Sequence, residues 1–187
     1  TDDKTIADWG QITDYFAKLD KASKNVTVTE IGRSTNGKPL IVAFISSAKN
    51  IKDLEKYRQV SAKLADPRTI SSDAELADLV KNGKTIVSIS CSIHSTEIVA
   101  SQMSMNLAYE LATATDAETK EILDNTILLL IPSPNPDGID IVANWYRKTL
   151  GTKSEGTSPP ELYHHYAGHD DNRDWFMLNL VETQDRK

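Results

Sequence analysis

The chain has 187 residues, room for one domain or at most two small ones. Its 21 Lys and Arg against 27 Asp and Glu leave a net charge of −6, which argues against a nucleic-acid-binding module with its basic face and against a polybasic membrane anchor. Hydrophobic residues make up 39%, and they are clustered and periodic, so a packed core is expected rather than a disordered chain.

The longest apolar run, residues 127–131, is far too short to span a bilayer. The opening Thr1-Asp2-Asp3-Lys4 carries no signal-peptide pattern. The single cysteine, Cys91, excludes an internal disulfide framework. Asn25-Val26-Thr27 is a glycosylation sequon, a pattern common by chance.

In chain order, Ile6, Trp9, Ile12, Phe16 and Leu19 recur at three- and four-residue steps and predict an amphipathic helix. Residues 26–31 alternate, Ser34-Thr35-Asn36-Gly37 supplies a tight turn, and residues 40–45 are β-rich, which together read as a hairpin. Residues 51–64 read as helical up to Asp66-Pro67. Ser72 and Glu75 form a capping-box pattern opening a helix with Leu76, Leu79 and Val80 inward. Residues 85–91 predict a buried strand. The helix after it, residues 95–111, is expected to bury the stripe Val99, Met103, Leu107 and Leu111. Thr115 and Glu118 look like another capping box, Asn125 ends that helix, and residues 126–131 read as a second fully buried strand. This βαβ spacing predicts an α/β fold, with a mixed, largely parallel central sheet and helices on both faces. Residues 132–138 form a rigid turn, residues 151–168 a polar surface loop, and a last helix starts near Trp175.

Ligands of open α/β sheets bind outside the carboxyl ends of the strands. Three polar groups stand at such places: His94-Ser95-Thr96-Glu97, Asn135-Pro136-Asp137-Gly138 and Asn172-Arg173. An i, i+3 His–Glu pair at a strand-to-helix junction can aim imidazole and carboxylate at one metal ion. The same tetrapeptide also describes a surface histidine whose neighbouring glutamate complements a helix N-terminus. Arg147, in Trp145-Tyr146-Arg147-Lys148, reads either as a solvated basic helix end or as a cation aimed at an oxyanion. Arg173 reads either as half of a carboxylate clamp or as a surface partner of Asp170, Asp171 or Asp174. Taken singly, each motif favours the surface reading.

Their order changes the balance. Strand–His94-Ser95-Thr96-Glu97–helix, strand–Asn135-Pro136-Asp137-Gly138, Trp145-Tyr146-Arg147-Lys148 and Asp170-Asp171-Asn172-Arg173-Asp174-Trp175 together resemble the zinc metallocarboxypeptidase family, the carboxypeptidase A-like peptidases. Gly32-Arg33-Ser34 with Gly37-Lys38-Pro39 is similar to the family's opening strands. His-Ser-Thr-Glu with Gly168-His169-Asp170 resembles its large bacterial members. The resemblance covers residues 26–187, with residues 1–25 as a helix leading in.

The resemblance implies a metallocarboxypeptidase-like fold and hydrolysis of the C-terminal peptide bond of a peptide by a metal-activated water. His94 and Glu97 would be two ligands of one Zn2+ per complete catalytic domain. Arg147 would polarise the scissile carbonyl, and Asn172 and Arg173 would hold the substrate's free terminal carboxylate. A periplasmic or secreted location goes with the family; nucleic acid and a membrane span do not.

The family's third ligand is a histidine on a later strand, followed by its general-base glutamate and a substrate-contacting tyrosine. No histidine follows Arg173. The chain therefore reads as the N-terminal portion of such a domain, incomplete at its C-terminus, with weak zinc binding expected of it alone. His164, His165 and His169 precede the Asn-Arg pair and read as loop or subsite residues. Thr96 stands where the family often has arginine. Two other readings share part of the pattern: a zinc deacylase of the aspartoacylase or succinylglutamate desuccinylase type (or a murein peptide amidase), and a non-catalytic binding module retaining the fold.

Overall fold

The structure is a computed structural model of the chain and describes residues 3–161 and 167–185. Helix α1 (Trp9–Ala22) opens on Asp8, whose carboxylate accepts from the Gln11 amide while the Gln11 side chain returns to the Asp8 amide, a complete capping box. Strands β1 (Val26–Arg33) and β2 (Pro39–Ile45) form the expected hairpin, and Gly37, at φ 78°, closes its turn. The single helix expected over 51–64 is two, α2 (Ala48–Lys52) and α3 (Leu54–Ala65), because the chain leaves helical geometry at Asp53. Then follow α4 (Asp73–Asn82), β3 (Thr85–Ser90), α5 (Ile98–Thr113), α6 (Ala117–Asn125), β4 (Thr126–Ile131), α7 (Pro136–Thr149) and α8 (Val181–Gln184). The cap of α6 is Asp116, whose carboxylate accepts from the Thr119 amide, and not Thr115. Asn135 caps α7, so the expected turn over 132–138 is cut short by a helix that starts at Pro136.

The sheet order is β1-β2-β4-β3. It is mixed, as expected, but parallel pairing is confined to β3 and β4, whereas β1/β2 and β2/β4 are antiparallel. The reason is the hairpin, which lies beside β4 and sets its own direction on half of the sheet. Alternation puts Ile41, Ala43 and Ile45 of β2 on one face with Leu128 and Leu130 of β4, packed with Trp9, Ile12 and Phe16 of α1. Leu40, Val42 and Ile127 are buried on the other face.

Three expected burials fail. β3 is an edge strand, and Ile86 and Val87 are exposed on it. Leu76 and Val80 of α4 face solvent, with only Leu79 half-buried. In α5 the buried face is Ser101, Ser104, Ala108 and Ala112, while Val99 is 74% and Met103 43% exposed; Leu107 and Leu111 are half-buried against the core. The small side chains let α5 approach α1 and the sheet closely. Its serines lose nothing by burial, since Ser101 Oγ donates to Ile98 O at 3.1 Å and Ser104 Oγ to Ser101 O at 2.6 Å.

Asn50 ties α2 to the last turn of α6. Its buried amide nitrogen donates to Leu123 O (3.1 Å) and Asp124 O (3.0 Å), and its oxygen accepts from the Tyr57 hydroxyl at 3.0 Å. Replacing Asn50 with Ala takes this partner from Asp124 O and the Tyr57 hydroxyl, while Leu123 O keeps the Ser46 hydroxyl at 2.8 Å and the Ser47 amide at 3.0 Å. We predict a loss of about 2–3 kcal/mol in urea unfolding, against about 1 kcal/mol for Tyr57→Phe.

Candidate active site

Parallel pairing continues one residue past β3, where the Cys91 amide donates to Ile131 O at 2.9 Å. The chain then turns at Ser92, which holds φ 48°, a left-handed conformation rare for a side chain other than glycine. Hydroxyls fix this turn. Ser92 Oγ donates to Glu97 O (2.9 Å) and accepts from the Ser101 amide (2.8 Å), and Ser133 Oγ donates to Ser92 O at 3.0 Å. The Asn135 side chain donates to Ile93 O at 3.3 Å and accepts from the Gly138 amide at 3.0 Å. Gly138 is required there, since a Cβ would stand 2.5 Å from Ser95 Oγ.

The turn so held carries His94 and Glu97, with His94 Nδ1 3.2 Å from Glu97 Oε1. Two zinc ligands, each about 2.1 Å from a tetrahedral ion, stand about 3.4 Å apart, so this imidazole–carboxylate pair fits two corners of such a site. Among the described residues, no group of three or more His, Cys, Asp or Glu is arranged to hold a metal.

The short 3₁₀ turn Asp171–Arg173 comes back to the same place. Asn172 Nδ2 lies 3.4 Å and Asp170 Oδ2 3.6 Å from His94 Nε2. Asp170 Oδ1 is buried without a hydrogen-bond partner among the described residues. Asp170 Oδ2 thus stands beside the far nitrogen of His94 at ion-pair rather than hydrogen-bond distance. In the sequence Asp170 is a possible surface partner of Arg173 and a member of the Gly168-His169-Asp170 and Asp170–Trp175 motifs, neither of which assigns it a contact with His94. Exposed Arg173 adjoins this cluster, its guanidinium donating to Asn172 O at 3.3 Å.

Arg147 is neither free in solvent nor turned to His94 and Glu97 here, but paired with the N-terminal segment. Its guanidinium meets Asp8 Oδ2 at 2.9 Å, Ile6 O at 3.2 Å and Gln11 Oε1 at 3.1 Å. The cause is the N-terminal cap of α1, which brings a carboxylate to the last turn of α7.

His169 is a clasp. Its ring nitrogens face two acceptors, Ala167 O at 2.9 Å and Asp174 Oδ1 at 2.8 Å. Only imidazolium donates from both nitrogens, and the hydrogen bond to Asp174 accordingly raises the His169 pKa. Burial pushes the Asp174 carboxyl up, but Thr183, the Leu180 amide and His169 outweigh it and hold it at about 2. With both nitrogens so engaged, His169 has no lone pair for a metal. His164 and His165 lie outside the described residues.

A mixed α/β sheet with a His–Glu pair at a strand's carboxyl end and an Asn-Arg pair beside it defines a metallocarboxypeptidase-like protein. The chain belongs to the zinc carboxypeptidase family, whose sequence model matches residues 12–186. No curated protein matches it. Among solved structures it is similar to a metallo-carboxypeptidase from Burkholderia cenocepacia, at TM-score 0.58 and 17% identity, over 95% of this chain and 36% of that one. It is also similar to carboxypeptidase A from Helicoverpa armigera, at TM-score 0.51 and 22% identity, over 80% and 27%. A third is a metallo-carboxypeptidase from Pseudomonas aeruginosa in complex with (2-guanidinoethylmercapto)succinic acid, at TM-score 0.50 and 17% identity, over 88% and 30%. The chain spans about a third of the length of the solved structures it matches.

Two outcomes follow from these contacts. Ser92→Ala removes the hydroxyl and keeps the strained φ, while Ser92→Gly removes the hydroxyl and relieves the strain. The alanine variant should lose about 2 kcal/mol in urea unfolding, and the glycine variant about 1 kcal/mol less than that. The clasp gives a pH window. A raised histidine pKa contributes stability fully present below the ordinary 6.5 and lost as pH rises through the folded value. A depressed aspartate pKa contributes stability present above the ordinary 3.8 and lost as pH falls toward about 2. The melting temperature should therefore fall more steeply between pH 6 and pH 8 (a span of about 2 units) in the parent chain than in His169→Gln.

Proposed function

We propose that this chain carries part of a zinc carboxypeptidase site that cleaves the C-terminal peptide bond of peptides. The observation that carries the reading is the convergence of His94, Glu97 and Asn172, from two segments 75 residues or more apart, at the carboxyl end of β3. Family membership supports zinc as the metal and a peptide as the substrate.

His94 Nδ1 and Glu97 would hold zinc, which when bound supplies Lewis acidity and a water acidified to a pKa of about 7. Asp170 would hold the His94 ring so that Nδ1 keeps its lone pair toward the metal. Asn172 and Arg173 would bind the terminal carboxylate, the guanidinium by paired hydrogen bonds. Binding the carboxylate next to His94 leaves the last peptide bond beside the metal ligands, which is what restricts cleavage to the chain end. Arg147 would turn from Asp8 to the scissile carbonyl and stabilise the charge developing on its oxygen. That turn breaks the half-exposed Arg147–Asp8 pair, which contributes about 1 kcal/mol or less, together with the hydrogen bonds to Ile6 O and Gln11 Oε1. The N-terminal-portion reading of residues 26–187 belongs to the same proposal, as does a periplasmic or secreted setting, which rests on the family likeness alone.

Zinc competition against a chromophoric chelator tests the reading. Two protein ligands bind weakly and exchangeably, so the parent chain should take zinc with modest affinity. His94→Ala and Glu97→Ala should each weaken it at least about tenfold, and Asp170→Asn by less. Zinc affinity indifferent to His94 and Glu97 would overturn the proposal.

A further inference from the structure

The His169 ring closes the turn that carries Asn172 and Arg173. One ring nitrogen meets Ala167 O before the turn, and the other meets Asp174 Oδ1 just after it. Between these two points the backbone folds on itself, the Arg173 amide donating to Asp170 O at 3.0 Å and the Asp174 amide to Asp171 O at 3.1 Å. Asp174 is anchored from its other side by the Leu180 amide, at 2.8 Å, and by the Thr183 hydroxyl of α8. One side chain, seated on a fixed carboxylate, therefore holds the turn at both ends. Gly168, at φ 66°, lies between Ala167 and His169, so the backbone entering the turn can follow the ring.

Only imidazolium can hold both ends, since a neutral ring has one N–H and turns a lone pair to the second acceptor. Charge points the same way. Asp170, Asp171 and Asp174 flank the turn, Asp171 and Asp174 fully buried, so a carboxylate brought to Asn172 and Arg173 comes among like charges. The imidazolium offsets Asp174 at 2.8 Å. Among the described residues, the charged groups that act on the ring are Asp174 and Asp170. Helix α8 reaches it through Asp174, and His94 lies beyond Asp170, its Nε2 3.6 Å from Oδ2. The hydrogen bonds to Asp174 and Ala167 O and the charges of Asp174 and Asp170 all favour the protonated ring.

We propose that His169, as imidazolium, is a positioning residue for the carboxylate clamp: it holds the turn Asp171–Arg173 in shape and offsets Asp174, so a free C-terminal carboxylate binds well only while His169 is protonated. The inference rests on the carboxypeptidase reading above and adds pH control to it. Loss of the proton opens one end of the turn and restores the full charge of Asp174 near Arg173. Both changes weaken the hold on an anion. The sign follows from the charge: binding is strong below the ordinary histidine value of 6.5 and falls as pH rises through the folded one.

The test is calorimetric binding of acetylated dialanine, as free acid and as C-terminal amide, to the full chain from about pH 6 to about pH 9. The peptide carboxylate is ionised throughout that range, so any pH step belongs to the protein. The free acid should bind better than the amide, and about tenfold more weakly at the upper end than at the lower. His169→Gln should bind it weakly at both ends. His169→Arg, which keeps the charge and several donors, should bind it tightly at both. Circular dichroism checks the fold of each variant. The parent chain gives a reading without any substitution: coupling is reciprocal, so the NMR titration midpoint of the His169 ring should rise by about one pH unit when the free acid is bound. A histidine with a merely structural role would not move. A free-acid preference without the pH step, a step that survives in folded His169→Gln, or a His169 midpoint indifferent to the peptide overturns the role of His169 and leaves the carboxypeptidase reading standing. Equal binding of acid and amide, or no binding of either, overturns that reading and this inference with it.

Discussion

The parallel register of β3 on β4 is the constraint from which the candidate site follows. Thr85 opposes Thr126 and Ser90 opposes Ile131, so both strands end at the same edge of the sheet. Because they end together, the loop after β3 and the cap of α7 after β4 meet, and Ser133 and Asn135 can reach the carbonyls of Ser92 and Ile93. An antiparallel pair would put those ends at opposite edges. The turn bearing His94 and Glu97 is thus oriented from beneath by a neighbouring strand's polar end, before any metal or substrate is present. A left-handed Ser92 is tolerable only because the two neighbouring elements over-determine it.

Much of this was legible in the sequence. Hydrophobic periodicity located α1, the hairpin, β3 and β4, and four short motifs in order pointed to the family although each was ambiguous alone. The burial pattern of α5 was not legible. Hydropathy ranks Val99 and Met103 above Ser101 and Ser104, but packing against α1 and the sheet selects for small side chains, and the serines silence their own polarity on helix carbonyls. The outward faces of β3 and α4 were missed for a related reason: a run of β-branched or apolar residues marks the element without saying what covers it. The sequence marks Asp170 as a motif residue without its contact, because an acidic residue near an arginine looks like a surface pair until the fold brings it beside the histidine. The role of Asp8 lies beyond any local pattern, since its partner Arg147 is on another helix far along the chain.

That last pairing ties the N-terminal segment to the helix that carries Arg147, whose guanidinium also holds the carbonyl of Ile6. If the guanidinium turns to a scissile carbonyl, it gives up Ile6 and Asp8 together. The N-terminal segment keeps its other anchors on α5 and α7, from Ala7 to Gln102 and from Trp9 to Asp140 at 2.7 Å, so it stays in place while its clamp moves.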